Sequence, residues 1–213
     1  MGLVPIDITE LISGGGMTPA QYQYFNQLMN YRTIVLNDGI DENLIESVIL
    51  PLRSFEMDTD TAPITLVLNS VGGCVQDGLT LMNIIDTYTK PLNIVVFSYA
   101  YSMGTILLCS GNKNPNVKKM CYPFSTFLFH AGSLTASGET NGVRDYMDFA
   151  ERQDERLKKY IFENTNITEE QWNKMSRREH YFTAEEAKEY GLIDEIIGET
   201  APETEEENNE EKV

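Results

Sequence analysis

At 213 residues, with 41% hydrophobic and 10% aromatic side chains, the chain has material for one domain with a sizeable core, which excludes disorder throughout. Its formal charge of −17 argues against DNA or RNA as a partner, because affinity for a phosphate backbone rests on an excess of Lys and Arg. Three cysteines without metal-ligand spacing (Cys74, Cys109, Cys121), no basic-then-apolar leader and no apolar run near the ~20 residues of a membrane span point to reduced thiols, no metal and a cytoplasmic location.

In chain order, Ser13-Gly-Gly-Gly16 marks a hinge after a short N-terminal segment, residues 1–17, and Thr18-Pro-Ala-Gln21 opens a capped helix. Short β-branched runs then alternate with longer periodic ones. Strands are expected at Thr33–Leu36, Ile64–Leu68, Asn93–Phe97, Lys118–Cys121, Thr126–His130 and Asp194–Ile197. Helices are expected from Asp41 to about Phe55, over Val75–Thr89, from Ser102 to Ser110 before Gly111, and over about Asn141–Glu163. Two capping boxes, Thr168-x-x-Gln171 and Thr183-x-x-Glu186, open the last two, the second stopping at Gly191. This alternation predicts an α/β layer architecture with a largely parallel sheet, in one domain over residues 18–198. Residues 199–213 hold seven Glu and one Lys and are expected to form a disordered, solvated acidic tail.

In a parallel sheet, the residues that follow neighbouring strands gather along one edge. Three segments qualify. Asn69-Ser-Val-Gly-Gly73 follows one strand and lets backbone amides approach a ligand. Ser102 follows the next on a sharp strand-to-helix turn, where the amide of Met103 faces the same place. His130, one of only two histidines, closes a third, with Ala131 and Gly132 leaving room beside its ring. A serine hydroxyl is a poor nucleophile until an imidazole takes its proton, so Ser102 with His130 forms a candidate hydrolase site, with Gly72 and Met103 amides as an oxyanion hole. Leu134–Glu139 is a polar stretch suited to lie along a peptide. Taken singly, each feature has a plainer role: Ser102 as a helix cap, His130 or His180 as a bonded core histidine, Cys109 as packing.

Asn69-Ser-Val-Gly-Gly, Tyr101-Ser-Met-Gly, Phe129-His and Phe182-Thr-Ala-Glu-Glu-Ala-Lys-Glu-Tyr-Gly-Leu-Ile-Asp194 resemble, in order and spacing, the proteolytic subunit of the Clp protease family. Leu3-Val-Pro5 and the block Arg32–Leu36 extend the similarity to about residues 3–197. The resemblance implies a ClpP/crotonase-like repeated β-β-α superhelical fold with a protruding handle over about 131–164. It further implies an axial gate formed by the N-terminal segment, and two stacked seven-membered rings forming a tetradecamer around a chamber. A hexameric ATP-driven unfoldase would feed unfolded or short peptides to it, and the chain itself needs no cofactor. On this resemblance Ser102 is the nucleophile, His130 the general base, and Gly72 and Met103 the oxyanion donors.

Two positions depart from the family pattern. Val71 stands where the family usually has Pro, both glycines being kept. The family's third catalytic residue is an aspartate, and a gap-free count back from Ala184 puts Met175 in its place, with Glu179, Glu169 and Glu170 as nearby carboxylates. Arg177-Arg-Glu179 itself reads as a charged surface run. Met175 opens a second possibility, a weak or inactive paralogue acting as a structural subunit of a mixed ring. A third, the enoyl-CoA hydratase and isomerase chemistry of related architecture, lacks the basic residues a nucleotide phosphate would need.

Overall fold

The structure, a computed structural model, describes residues 18–133 and 135–199. The expected N-terminal gate and nearly all of the acidic tail lie outside the described residues. Helix α1 (Pro19–Tyr31) starts on the Thr18 capping box and leads into strand β1 (Thr33–Leu36). Arg32, at the junction, takes a left-handed backbone and pairs with Asp58 at 3.0 Å, its guanidinium lying 4.7 Å from the centre of the Phe55 ring. That contact ties the first helix to the end of the second.

The helix expected after Asp41 is a π-helical stretch, Ile45–Ile49, running into α2 (Leu50–Met57) with Pro51 in its first turn. Then come β2 (Ile64–Ser70), α3 (Val75–Asp86), β3 (Leu92–Tyr101) and the short α4 (Met103–Leu107). Strands β4 (Val117–Cys121) and β5 (Thr126–Phe129) precede the long α5 (Thr140–Asn164). The chain ends in α6 (Glu169–Met175), β6 (His180–Phe182), α7 (Ala184–Glu189) and β7 (Glu195–Ile196).

The sheet runs β1-β2-β3-β4-β7, all parallel. β3 is longer than its β-branched run because its upper half has a different neighbour: Leu92–Val96 pair with β4, whereas Tyr99–Tyr101 pair with β5. The register slips between Leu68 and Ser70. Asn69 occupies that slip, its side-chain oxygen accepting from the Tyr99 amide at 3.3 Å and its Nδ2 donating to Asn37. β6 is an element the sequence did not disclose, and it pairs antiparallel with β5.

Leu66, Leu68, Ile94 and Val96 lie buried between the helices, and Phe127, Phe129 and Phe182 stack in the second part of the core. α5 joins this core only by its last turns. Ile161 is fully buried and the Tyr160 hydroxyl donates to Asp86 at 2.6 Å, while Tyr146, Met147 and Phe149 are exposed. The expected protruding helix is therefore present.

Candidate active site

The Ser102 turn is strained and held by backbone bonds. Ser102 adopts φ 52° and ψ −121°, a conformation L-residues rarely take and one that costs on the order of 1–3 kcal/mol unless its surroundings enforce it. Here they do. The Ser102 amide donates to the Leu128 carbonyl at 2.9 Å, and its own carbonyl accepts from Thr105 and Ile106. The fully buried Thr105 hydroxyl sits 2.5 Å from the Ala100 carbonyl and 2.9 Å from that of Leu128, locking α4 to both β3 and β5.

That lock sets Ser102 beside the end of β5. His130 Nε2 lies 2.7 Å from Ser102 Oγ, within hydrogen-bond reach, as the sequence led one to expect. For Nε2 to accept the hydroxyl proton, the neutral ring must carry its own proton on Nδ1. Gly132, beyond the ring, has open space around the position a Cβ would take.

The glycine pair packs against the same turn. A Cβ on Gly72 (φ +88°) would fall 2.6 Å from the Tyr101 carbonyl oxygen, 2.8 Å from the Met103 nitrogen and 2.8 Å from the Ser102 Cβ. On Gly73 it would strike the Ile40 carbonyl at 2.2 Å. Ile40 fixes the loop from the other side, donating to the Gly72 carbonyl and accepting from the Cys74 amide. The Met103 amide has no hydrogen-bond acceptor among the described residues, as an oxyanion donor requires. The Gly72 amide differs from expectation, because it donates to the buried Ser70 hydroxyl at 3.1 Å. A serine side chain two residues back closes this turn on itself, so that amide must be shared or released to meet an oxyanion.

Met175 is 2% exposed and packs in the hydrophobic core, where a thioether has no electrostatic part to play. The β5–β6 pairing runs Phe127↔Phe182, Leu128↔Tyr181 and Phe129↔His180, with His130 following β5 and Glu179 preceding β6. In the sequence β6 showed only as the short aromatic run His180-Tyr-Phe182, three residues with no readable period. Glu179 is exposed, and its carboxylate accepts from the Tyr181 hydroxyl at 3.1 Å, a contact that raises the Tyr181 phenol above its ordinary range. Glu169 and Glu170 start α6, and Glu169 lies 3.9 Å from the Lys158 ammonium.

His180 stacks on Phe182, its ring pointing Nε2 into a buried position. Desolvation pushes the buried thiols of Cys109 and Cys121 up to about 12, which leaves them protonated and inert; Cys74 is exposed at the start of α3. An apolar hollow of about 520 Å³, lined by Leu28, Met29, Leu50 and Phe55 among others, lies on α1 and α2 and includes neither Ser102 nor His130.

Together, a mostly parallel α/β sheet, a strained serine on a strand-to-helix turn and an imidazole within hydrogen-bond reach of its hydroxyl describe the site. Residues 16–200 match the family model described as Clp protease, and the chain belongs to the Clp protease family. It is a protein of the peptidase type that this family defines, on the family's α/β fold. No helix among the described residues is long and apolar enough to cross a membrane.

Proposed function

We propose that the chain is a serine endopeptidase subunit acting on extended peptide. The 2.7 Å contact between Ser102 Oγ and His130 Nε2 carries this reading. Ser102 Oγ attacks the scissile carbonyl while His130 Nε2 takes the hydroxyl proton, forming the C–O bond and placing negative charge on the former carbonyl oxygen. The free Met103 amide meets that charge, joined by the Gly72 amide as it leaves Ser70. Collapse expels the amine, which receives the proton from His130, and leaves an acyl ester on Ser102. Water, deprotonated by His130, then attacks the ester and frees the carboxylate product.

Glu179 is the third member in this scheme. It directly precedes β6 as His130 directly follows β5, and a carboxylate that turned from there to the ring would accept from Nδ1–H and stabilise the imidazolium. The inactive-paralogue reading rests on Met175, a thioether packed in the core, and predicts no hydrolysis in any assembled form.

Assembly into stacked seven-membered rings fed by an ATP-dependent unfoldase is the partnership we infer from family membership. The exposed Tyr146, Met147 and Phe149 on the outer part of α5, and the exposed Phe97 of β3 with Tyr122 and Phe124 of the β4–β5 connection, support it, since faces of this kind call for protein partners. The test is to fractionate the full chain by size and assay each fraction with a fluorogenic peptide. Hydrolysis should follow a multi-subunit particle and fall to background in Ser102→Ala with the particle intact. Hydrolysis that persists in Ser102→Ala contradicts the reading.

A further inference from the structure

Next to the nucleophile, three tyrosines form a fixed row across β3 and β6. Tyr181 stands edge-on to Tyr101, ring centres 5.9 Å apart at 88°, and Tyr101 lies 5.1 Å from Tyr99. The Tyr101 hydroxyl is 2.8 Å from Thr126 Oγ1, which anchors it to β5. Leu128 of β5 is the register partner of both Tyr101 and Tyr181, so both tyrosines sit at the level of the residue just before Ser102. From this anchored position the Tyr181 hydroxyl donates to Glu179 Oε2 at 3.1 Å.

We propose that Tyr181 is a positioning residue, whose hydroxyl holds the Glu179 carboxylate on the face of β6 that neighbours His130. The inference rests on Glu179 being the third member of the triad. Glu179 directly precedes β6, and the 3.1 Å bond from Tyr181 restrains its carboxylate there, next to the Phe129↔His180 pair that ends the β5–β6 ladder. An exposed glutamate otherwise samples many rotamers, and Arg177 and Arg178 adjoin it in the chain. Tyr181 engages only Oε2, so the lone pairs of Oε1 stay available to an imidazole N–H. The row from Thr126 through Tyr101 to Tyr181 thus couples the carboxylate's placement to the strand that delivers Ser102.

The test is a double-mutant cycle on the assembled full-length protein with a fluorogenic peptide, comparing wild type, Glu179→Gln, Tyr181→Phe and the double variant. Tyr181→Phe keeps the ring against Tyr101 and removes only the donor, and thermal unfolding checks that the fold is retained. Glu179→Gln should lower kcat by roughly 10²- to 10⁴-fold. Tyr181→Phe should lower kcat by about 3- to 30-fold with KM unchanged, the effect of one charge-assisted hydrogen bond. The double variant should be no slower than Glu179→Gln, since Tyr181 acts only through that carboxylate. A kcat in Tyr181→Phe equal to or above wild type, or a double variant slowed by the full product of the two factors, overturns the role of Tyr181 while leaving that of Glu179 intact. An unchanged kcat in Glu179→Gln overturns the Glu179 reading itself, and the inference with it.

Discussion

Ser102 carries its hydroxyl on a backbone that no L-residue adopts freely, and the cost is met by neighbours that have no freedom of their own. Thr105, fully buried, bridges Ala100 and Leu128, and Gly72 fills the space a Cβ would need against Tyr101, Ser102 and Met103. Gly72→Ala therefore adds a methyl where none fits and forces a positive φ on a residue that resists it. We predict a folded but less stable variant, with kcat/KM reduced by roughly 10²- to 10³-fold as the Met103 amide and the Ser102 hydroxyl lose their alignment. Circular dichroism and peptide kinetics measure both effects; activity within twofold of wild type would mean that the glycine loop does not contact the reacting centre. Ser102, His130, Gly72 and Met103 were legible in the sequence because each closes or follows a strand of recognisable composition. Strand β6, which follows Glu179 directly, was not, because it is set by a pairing with β5 between residues about 50 apart in the chain, which local pattern does not encode.

Among the elements, β4 shows how a polar residue is accommodated in the core. Lys119 is 1% exposed, its ammonium donating to the Leu108 carbonyl at 2.6 Å and to the Asn112 side chain, while its amide donates to Asp194 at 2.7 Å. Desolvation lowers the amine from its ordinary 10.5 to about 8. The sign follows directly. Between about pH 8 and 10.5 the unfolded chain binds the extra proton and the folded one does not, so raising the pH through that window favours the fold. Relative to Lys119→Met, the wild-type unfolding free energy should climb across this window, and urea titrations at both ends measure it; a flat difference would place the ammonium in contact with water. Taking the difference removes the opposing effect of the buried tyrosines and cysteines, whose values are raised. Elements themselves were largely readable. β-Branched runs marked β1, β2 and the lower half of β3, and the capping boxes at Thr18, Thr168 and Thr183 all form as the residue types require. The upper half of β3, Ser98-Tyr-Ala-Tyr101, was not, because it is extended only by pairing with β5 beyond the Asn69 slip.

At the scale of the whole molecule, the sheet edge gathers what the loops contribute singly: the glycine loop after β2, the hydroxyl after β3 and the imidazole after β5. The long α5 stands off this body with Tyr146, Met147 and Phe149 exposed, and neither Ser102 nor His130 lies on it. That division lets the site be tested without knowledge of the natural substrate. A fluorophosphonate reacts with a serine oxygen only when a base has activated it. The assembled protein is treated with the probe, digested, and the modified residue located by mass spectrometry, alongside His130→Ala. The account predicts a single adduct on Ser102 in the wild type and its loss in His130→Ala. An adduct on another serine, or Ser102 labelling undiminished without His130, would contradict it.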